Sequence, residues 1–175
     1  MSTQLTAGDI RRLLELLSEE LAAVGVEGEL YLVGGAVMCL AFDARPATRD
    51  VDAFFRPTRE IREAAARVAD RAGVPRGWLN DAVKGFLDER GDFDPFLELP
   101  NLRVFIARPE YLLAMKCASM RLAEEFRDVE DIRYLLRYLN VTSADEALAI
   151  VTRYFDADRL LPKTRLALEE LLGEA

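Results

Sequence analysis

The chain has 175 residues, 51% of them apolar and 31% charged, with a formal net charge of −8. That suits one ordinary globular domain, or a small core with a helical extension, able to bury a substantial apolar interior. The absence of histidine excludes Ser-His-Asp and Cys-His catalysis, histidine-ligated zinc and a histidine general base. The acidic balance argues against general adhesion to nucleic acid, because affinity for a polyanion rests on neutralising its phosphates.

Any chemistry must therefore use carboxylates, lysine, arginine, hydroxyls or a bound metal. No apolar stretch approaches the roughly 20 residues that cross a bilayer, and the N-terminus does not read as a targeting segment. No membrane partner is expected, and the expected location is the cytoplasm. Cys39 and Cys117 lie far apart within apolar helical patterns and read as buried, reduced thiols.

From Thr6 to Val24 the apolar positions Ile10, Leu13, Leu14, Leu17, Leu21 and Val24 recur at three and four residues, with Gly25 after the last, which predicts an amphipathic helix. Glu29 to Val33 reads as a short strand running into Gly34-Gly35, and Ala36 to Phe42 as a helix. A loop over Asp43 to Ala47 leads to a second strand, Thr48 to Phe55. Pro57-Thr58 opens a helix running toward Gly73, and a short helix is expected over Trp78 to Asp88. Gly91 to Asn101 contains Pro95 and Pro100 and reads as loop with at most a short extended piece, before a strand over Leu102 to Ala107.

Beyond Pro109, which suits a first helical position, only helices are expected: Pro109 to Glu125, Asp128 to Leu139, Ser143 to Tyr154 and Pro162 to Leu172. Ser143-Ala144-Asp145-Glu146 has the spacing of a capping box. The pattern is α+β over the first 107 residues, followed by a helical bundle.

The chemistry concentrates around Asp50-Val51-Asp52. On a strand, residues two apart share a face, so the two carboxylates would stand together with Val51 turned into the core. Two like charges side by side call for a cation, and Mg²⁺, which takes hard oxygen ligands, suits them; the alternative is a solvated strand face. Gly34-Gly35 falls between strand and helix, where missing side chains allow backbone N–H groups to approach phosphate oxygens, or it is simply a tight turn. Arg45, Arg49, Arg56, Arg59 and Arg62 crowd the same stretch, as a phosphate-bearing substrate would require and as solvated surface charges would also do. Thr48 could set its hydroxyl near a phosphate or cap the loop.

Gly34-Gly35, a twelve-residue spacer (36–47) and Thr48-Arg49-Asp50-Val51-Asp52 resemble the core motif of the nucleotidyltransferase (polymerase-beta-like) superfamily. More narrowly, Thr-Arg-Asp-x-Asp is similar to the AbiEii and MenT group of type IV toxin-like nucleotidyltransferases and their small relatives. Leu112 to Lys116 followed by Arg127-Asp128-Val129-Glu130-Asp131 resembles that group's lysine and Arg-Asp-x-x-Asp motifs, so the likeness covers about residues 29–139.

The resemblance implies a small mixed sheet flanked by helices over residues 1–107, a helical region over 108–175 packed on it, and Mg-dependent transfer of an NMP from an NTP to an acceptor hydroxyl. Gly34, Gly35, Thr48 and Arg49 would serve the nucleotide, Asp50 and Asp52 the metal, Lys116 the nucleotide phosphates, and Asp131 would be a distal acid completing the site. Lys116 could otherwise be a solvated helix lysine, Asp131 a surface partner of Arg127 four residues earlier, and Asp128 a first-turn acid held in reserve.

The acceptor would be an RNA end, since studied members of the group act on transfer RNA, with an antitoxin as a partner. A small hydroxylated molecule, as in antibiotic nucleotidyltransferases, is the alternative acceptor. The strand Leu102 to Ala107 lacks the third carboxylate that many superfamily members carry, with Arg103 where an acid would stand. Asp94, Glu98 or Asp131 would have to replace it, and otherwise the protein binds nucleotide or a partner without turnover.

Overall fold

Strands β2 (Gly28–Val33), β4 (Val51–Arg56), β5 (Leu79–Asn80), β6 (Phe93–Leu99) and β7 (Leu102–Ala107) form one mixed sheet in the order β5-β4-β2-β7-β6. The computed structural model describes residues 3–81, 91–119, 126–160 and 162–173. The chain divides into two compact units: a sheet-and-helix unit ending at Ala107, and a helical unit from Arg108 that also takes in Asp92.

In the first unit, β2 lies at the centre, antiparallel to β4 and parallel to β7, while β6 closes one edge antiparallel to β7 and β5 the other edge parallel to β4. Directly paired residues share a face, so Leu30 and Leu32 stand with Phe55 and Ala53 on one side, and Glu29, Tyr31 and Val33 with Arg56, Phe54 and Asp52 on the other. The first side is fully buried. It carries α1 (Ala7–Ala23) and α3 (Thr58–Ala72), which come so close that a β-carbon on Gly28 would stand 2.9 Å from Ile61 Cδ1 and 3.0 Å from Leu21 Cδ1.

Helix α1 forms as its periodicity predicts, burying Ile10, Leu13, Leu14, Leu17 and Leu21. Its start is set by a reciprocal cap: Thr6 Oγ1 accepts from the Asp9 N–H, and the Asp9 carboxylate accepts from the Thr6 N–H. Helix α3 ends at Gly73 in the left-handed conformation, φ 68°. Helix α2 (Gly35–Leu40) is only six residues long, stopping short of Phe42.

Three sequence expectations fail here. The single strand over Thr48 to Phe55 is two pieces: Ala47–Thr48 (β3) pairs with Leu5–Thr6 (β1), and β4 starts only at Val51, leaving Asp50 between them. The segment read as loop before Pro100 contains β6, whose edge position and register shift between Pro95 and Leu97 accommodate a proline with no N–H to give. The helix expected from Trp78 is a 3-10 turn, Arg76–Trp78, followed by β5, with Trp78 Nε1 donating to the Ala65 carbonyl. Residues 82–88 of that expected helix lie outside the described residues.

The second unit contains α4 (Pro109–Ala118), α5 (Phe126–Tyr138), α6 (Ala144–Val151) and α7 (Pro162–Leu172). The end expected for α4, residues 120–125, lies outside the described residues. Ser143 caps α6, accepting from the Glu146 N–H at 3.1 Å. That helix ends at Val151 rather than Tyr154, its last turn closed by the Thr152 hydroxyl on the Leu148 carbonyl. The interior of this unit includes Tyr111, Leu112, Leu113, Ile132, Leu135, Ala147 and Leu168. The molecule is mixed α+β, and among the described residues no helix is long and apolar enough to cross a membrane.

Candidate functional site

Gly34 ends β2 and turns the chain into α2 with φ 67° and ψ −150°, a conformation open in practice only to glycine. Because Val33 is the register partner of Asp52, the turn brings the next residue beside that acid. A β-carbon on Gly34 would stand 3.0 Å from Asp52 Oδ2. At Gly35 a β-carbon would meet Arg45 Nη1 at 2.7 Å and Thr48 Oγ1 at 2.8 Å. Each glycine thus makes room for side chains from the following segment: a carboxylate against Gly34, a guanidinium and a hydroxyl against Gly35.

Thr48 is 5% exposed, and its hydroxyl donates to the Asp50 carbonyl at 3.3 Å. That bond holds the kink separating β3 from β4, an observation for its loop-capping role. Burial alternates along the next three residues: Val51 is in the core, while Asp50 and Asp52 are half-buried and reach solvent. Arg49 is exposed.

The other arginines near in sequence are engaged elsewhere. Arg56 binds the Glu29 carboxylate at 3.0 Å, Arg59 binds Glu63 at 3.0 Å and Arg62 binds Asp81. Around Glu29 a second polar cluster forms, which sequence reasoning missed: Tyr31 donates its hydroxyl to Glu29, and Arg103 binds the other carboxylate oxygen at 2.9 Å. The Tyr31 bond, followed by Arg56 and Arg103, holds the Glu29 carboxyl below its usual range, while burial, then the hydrogen bond to Glu29, pushes the Tyr31 phenol up. Tyr31 also stacks on Phe105 at 4.8 Å and meets the edge of Phe93 at 5.1 Å. The available sequence signal was a charged and an aromatic residue two apart in each of β2, β4 and β7: Glu29 with Tyr31, Phe54 with Arg56, and Arg103 with Phe105. The cluster sits four strand residues from the Val33–Asp52 pair, about 13 Å along the sheet.

The sheet also decides the fate of two substitute acids. Asp94 is in register with Ile106, itself in register with Leu32, so it falls on the face opposite to Asp52. Glu98 is in register with Arg103, at the Glu29 end. Among the described residues no three acidic, cysteine or histidine side chains gather into a metal-binding group.

In the helical unit, Lys116 and Asp131 are 6% and 3% exposed, with Nζ 2.8 Å from Oδ2. Lys116 is therefore no solvated helix lysine, and Asp131 is no surface acid. The side chains of Arg127 and Asp128 lie outside the described residues. Next to Lys116, burial pushes the Cys117 thiol up to about 12.

No protein-family model, curated protein or solved structure matches this chain.

Proposed function

We propose that this chain is a Mg-dependent nucleotidyltransferase that moves an NMP from an NTP to an acceptor hydroxyl. The observation that carries the reading is the pairing of the two glycines with their neighbours: the Asp52 carboxylate against Gly34, and Arg45 with Thr48 against Gly35. A metal-binding acid and a phosphate-binding guanidinium line one turn, each packed where a glycine leaves room for it.

The donor set fits magnesium. Mg²⁺ keeps several waters and takes one or two carboxylates plus substrate phosphate oxygens, so Asp50 and Asp52 suffice as protein ligands without a third acid. When bound, the ion supplies charge neutralisation between the two acids and the triphosphate. Gly34 and Gly35 make room for the Asp52 carboxylate and for Arg45 with Thr48, and the Thr48 hydroxyl holds the kink between β3 and β4 at the Asp50 carbonyl. The transfer forms a bond from the acceptor oxygen to the α-phosphorus and breaks the bond to the bridging oxygen, so pyrophosphate leaves and the acceptor loses its proton. Positioning and charge neutralisation are the main contributions asked of the protein.

An RNA end, with a transfer RNA as the first candidate, is the acceptor this reading favours, and an antitoxin protein is the partner a toxin-like enzyme would have. A small hydroxylated molecule is the alternative acceptor. A second reading, nucleotide binding without turnover, draws on the sheet: β7 offers no carboxylate, and Asp94 faces the other way.

Pyrophosphate release, measured with each of the four NTPs against transfer RNA and against aminoglycosides, separates these. Release with one acceptor class, abolished in Asp52→Asn, supports the enzyme. Mg-dependent binding with no release in either arm establishes the noncatalytic reading instead.

A further inference from the structure

Five arginines lie close in sequence to the Asp50-Val51-Asp52 run, but the structure distributes them unequally. Arg56, Arg59 and Arg62 are each engaged with an acid away from the glycine turn. Arg49, the arginine inside the motif, is exposed. Arg45 is half-buried and folds its guanidinium over Gly35, with Nη1 2.7 Å and Cζ 3.5 Å from where a β-carbon would stand. Thr48 Oγ1 lies against the same glycine, at 2.8 Å from that position. The two consecutive glycines therefore admit groups of opposite charge, Asp52 at Gly34 and Arg45 at Gly35.

A planar guanidinium with five donors in a fixed fork is the side chain best suited to grip a phosphate group by two parallel hydrogen bonds. Placed beside a metal-binding acid, it supplies direct positive charge to the part of a polyphosphate that the ion does not cover. It also supplies a reason for glycine at position 35 that does not depend on a tight turn, since any side chain there would displace the guanidinium and the hydroxyl together.

We propose that Arg45, rather than Arg49, is the arginine that grips the triphosphate, and that it makes the site prefer NTP over NMP. This rests on the reading of the Gly34-Gly35 turn as the nucleotide site. An arginine that only holds the 43–48 loop in place would affect every nucleotide alike; one that grips the β- or γ-phosphate affects NTP alone.

Calorimetric titration of the full chain with each Mg·NTP and its matching NMP tests this in wild type, Arg45→Gln, Arg45→Lys and Arg49→Gln. Loss of a charge-assisted phosphate contact predicts that Arg45→Gln weakens NTP binding about tenfold or more while NMP binding stays within about twofold. Arg45→Lys, which keeps the charge without the fork, falls between, and Arg49→Gln loses less NTP affinity than Arg45→Gln. Equal weakening of NTP and NMP by Arg45→Gln, or no weakening, overturns the assignment, as does a larger loss of NTP binding in Arg49→Gln. If Arg45→Gln does not fold, Arg45→Lys decides: an NTP-to-NMP affinity ratio equal to that of wild type overturns the assignment. A wild-type chain that binds no Mg·NTP overturns both this assignment and the nucleotide-site reading beneath it; wild-type binding with insensitive Arg45 variants overturns the assignment alone.

Discussion

Lys116 and Asp131 form an ion pair, Nζ to Oδ2 2.8 Å, in the interior of the helical unit, with both side chains less than a tenth exposed. It joins α4 to α5. Two charges withdrawn from water are tolerated because they are paired, and removing one takes away the opposite charge that the other is buried against.

Lys116→Met should therefore destabilise the chain by about 3–5 kcal/mol, and Lys116→Met with Asp131→Leu should recover most of that loss. Urea denaturation of the two single variants and the double variant measures the coupling. Losses in the double variant equal to the sum of the singles would show that the two charges do not support each other.

Position 34 separates strain from access. Gly34 and Gly73 both have positive φ, 67° and 68°, but only at Gly34 would a β-carbon meet another group, the Asp52 carboxylate at 3.0 Å; at Gly73 nothing lies within 4 Å. Alanine at Gly73 should cost about 1–2 kcal/mol from the left-handed backbone, and alanine at Gly34, whose ψ of −150° lies in a region reserved for glycine, should cost more. Mg·NTP binding, measured by calorimetry alongside thermal unfolding, should fall in Gly34→Ala and stay at the wild-type level in Gly73→Ala. Equal binding by the two variants would contradict the role given to the Gly34 turn.

The burial that pushes the Cys117 thiol up to about 12 leaves almost no thiolate at neutral pH, and the thiolate is the reactive form. Cys39 is buried too. An aromatic disulfide reagent at pH 8 should modify neither cysteine of the native chain and both after unfolding in guanidinium. Rapid modification of native Cys117 would show that the helical unit opens far more readily than its packing implies, and rapid modification of native Cys39 would show the same of the sheet-and-helix unit.

How much of this was legible in the sequence depended on whether the signal was local. The α1 stripe of Ile10, Leu13, Leu14, Leu17 and Leu21, the Ser143 cap and the span Pro162–Leu172 appear where periodicity and capping chemistry put them. The break before Val51 was hidden because Thr48 to Phe55 alternates like one strand; what interrupts it is the pairing of Thr48 with Leu5, more than forty positions away, and the hydroxyl bond back to the Asp50 carbonyl. Strand β6 was masked by Pro95, whose meaning depends on lying at a sheet edge. At the site, the glycines and the acids were visible as a motif, but five arginines in one stretch look alike until the fold brings one of them onto Gly35. The burial of Lys116 and Asp131 was invisible for a similar reason, since their residue types argue for solvent and the ion pair between them forms only in the fold.

The central claim, that Asp52 and the Gly34-Gly35 turn make a metal-nucleotide site, is tested most directly by titrating the chain with NTP in the presence of Mg²⁺ and of excess EDTA, in wild type and in Asp52→Asn. Wild type should bind with Mg²⁺ and lose about tenfold or more of its affinity in EDTA, and Asp52→Asn, which keeps the shape and removes the charge, should bind weakly in both. Binding in Asp52→Asn that matches wild type and still requires Mg²⁺ would place the metal elsewhere and contradict the account.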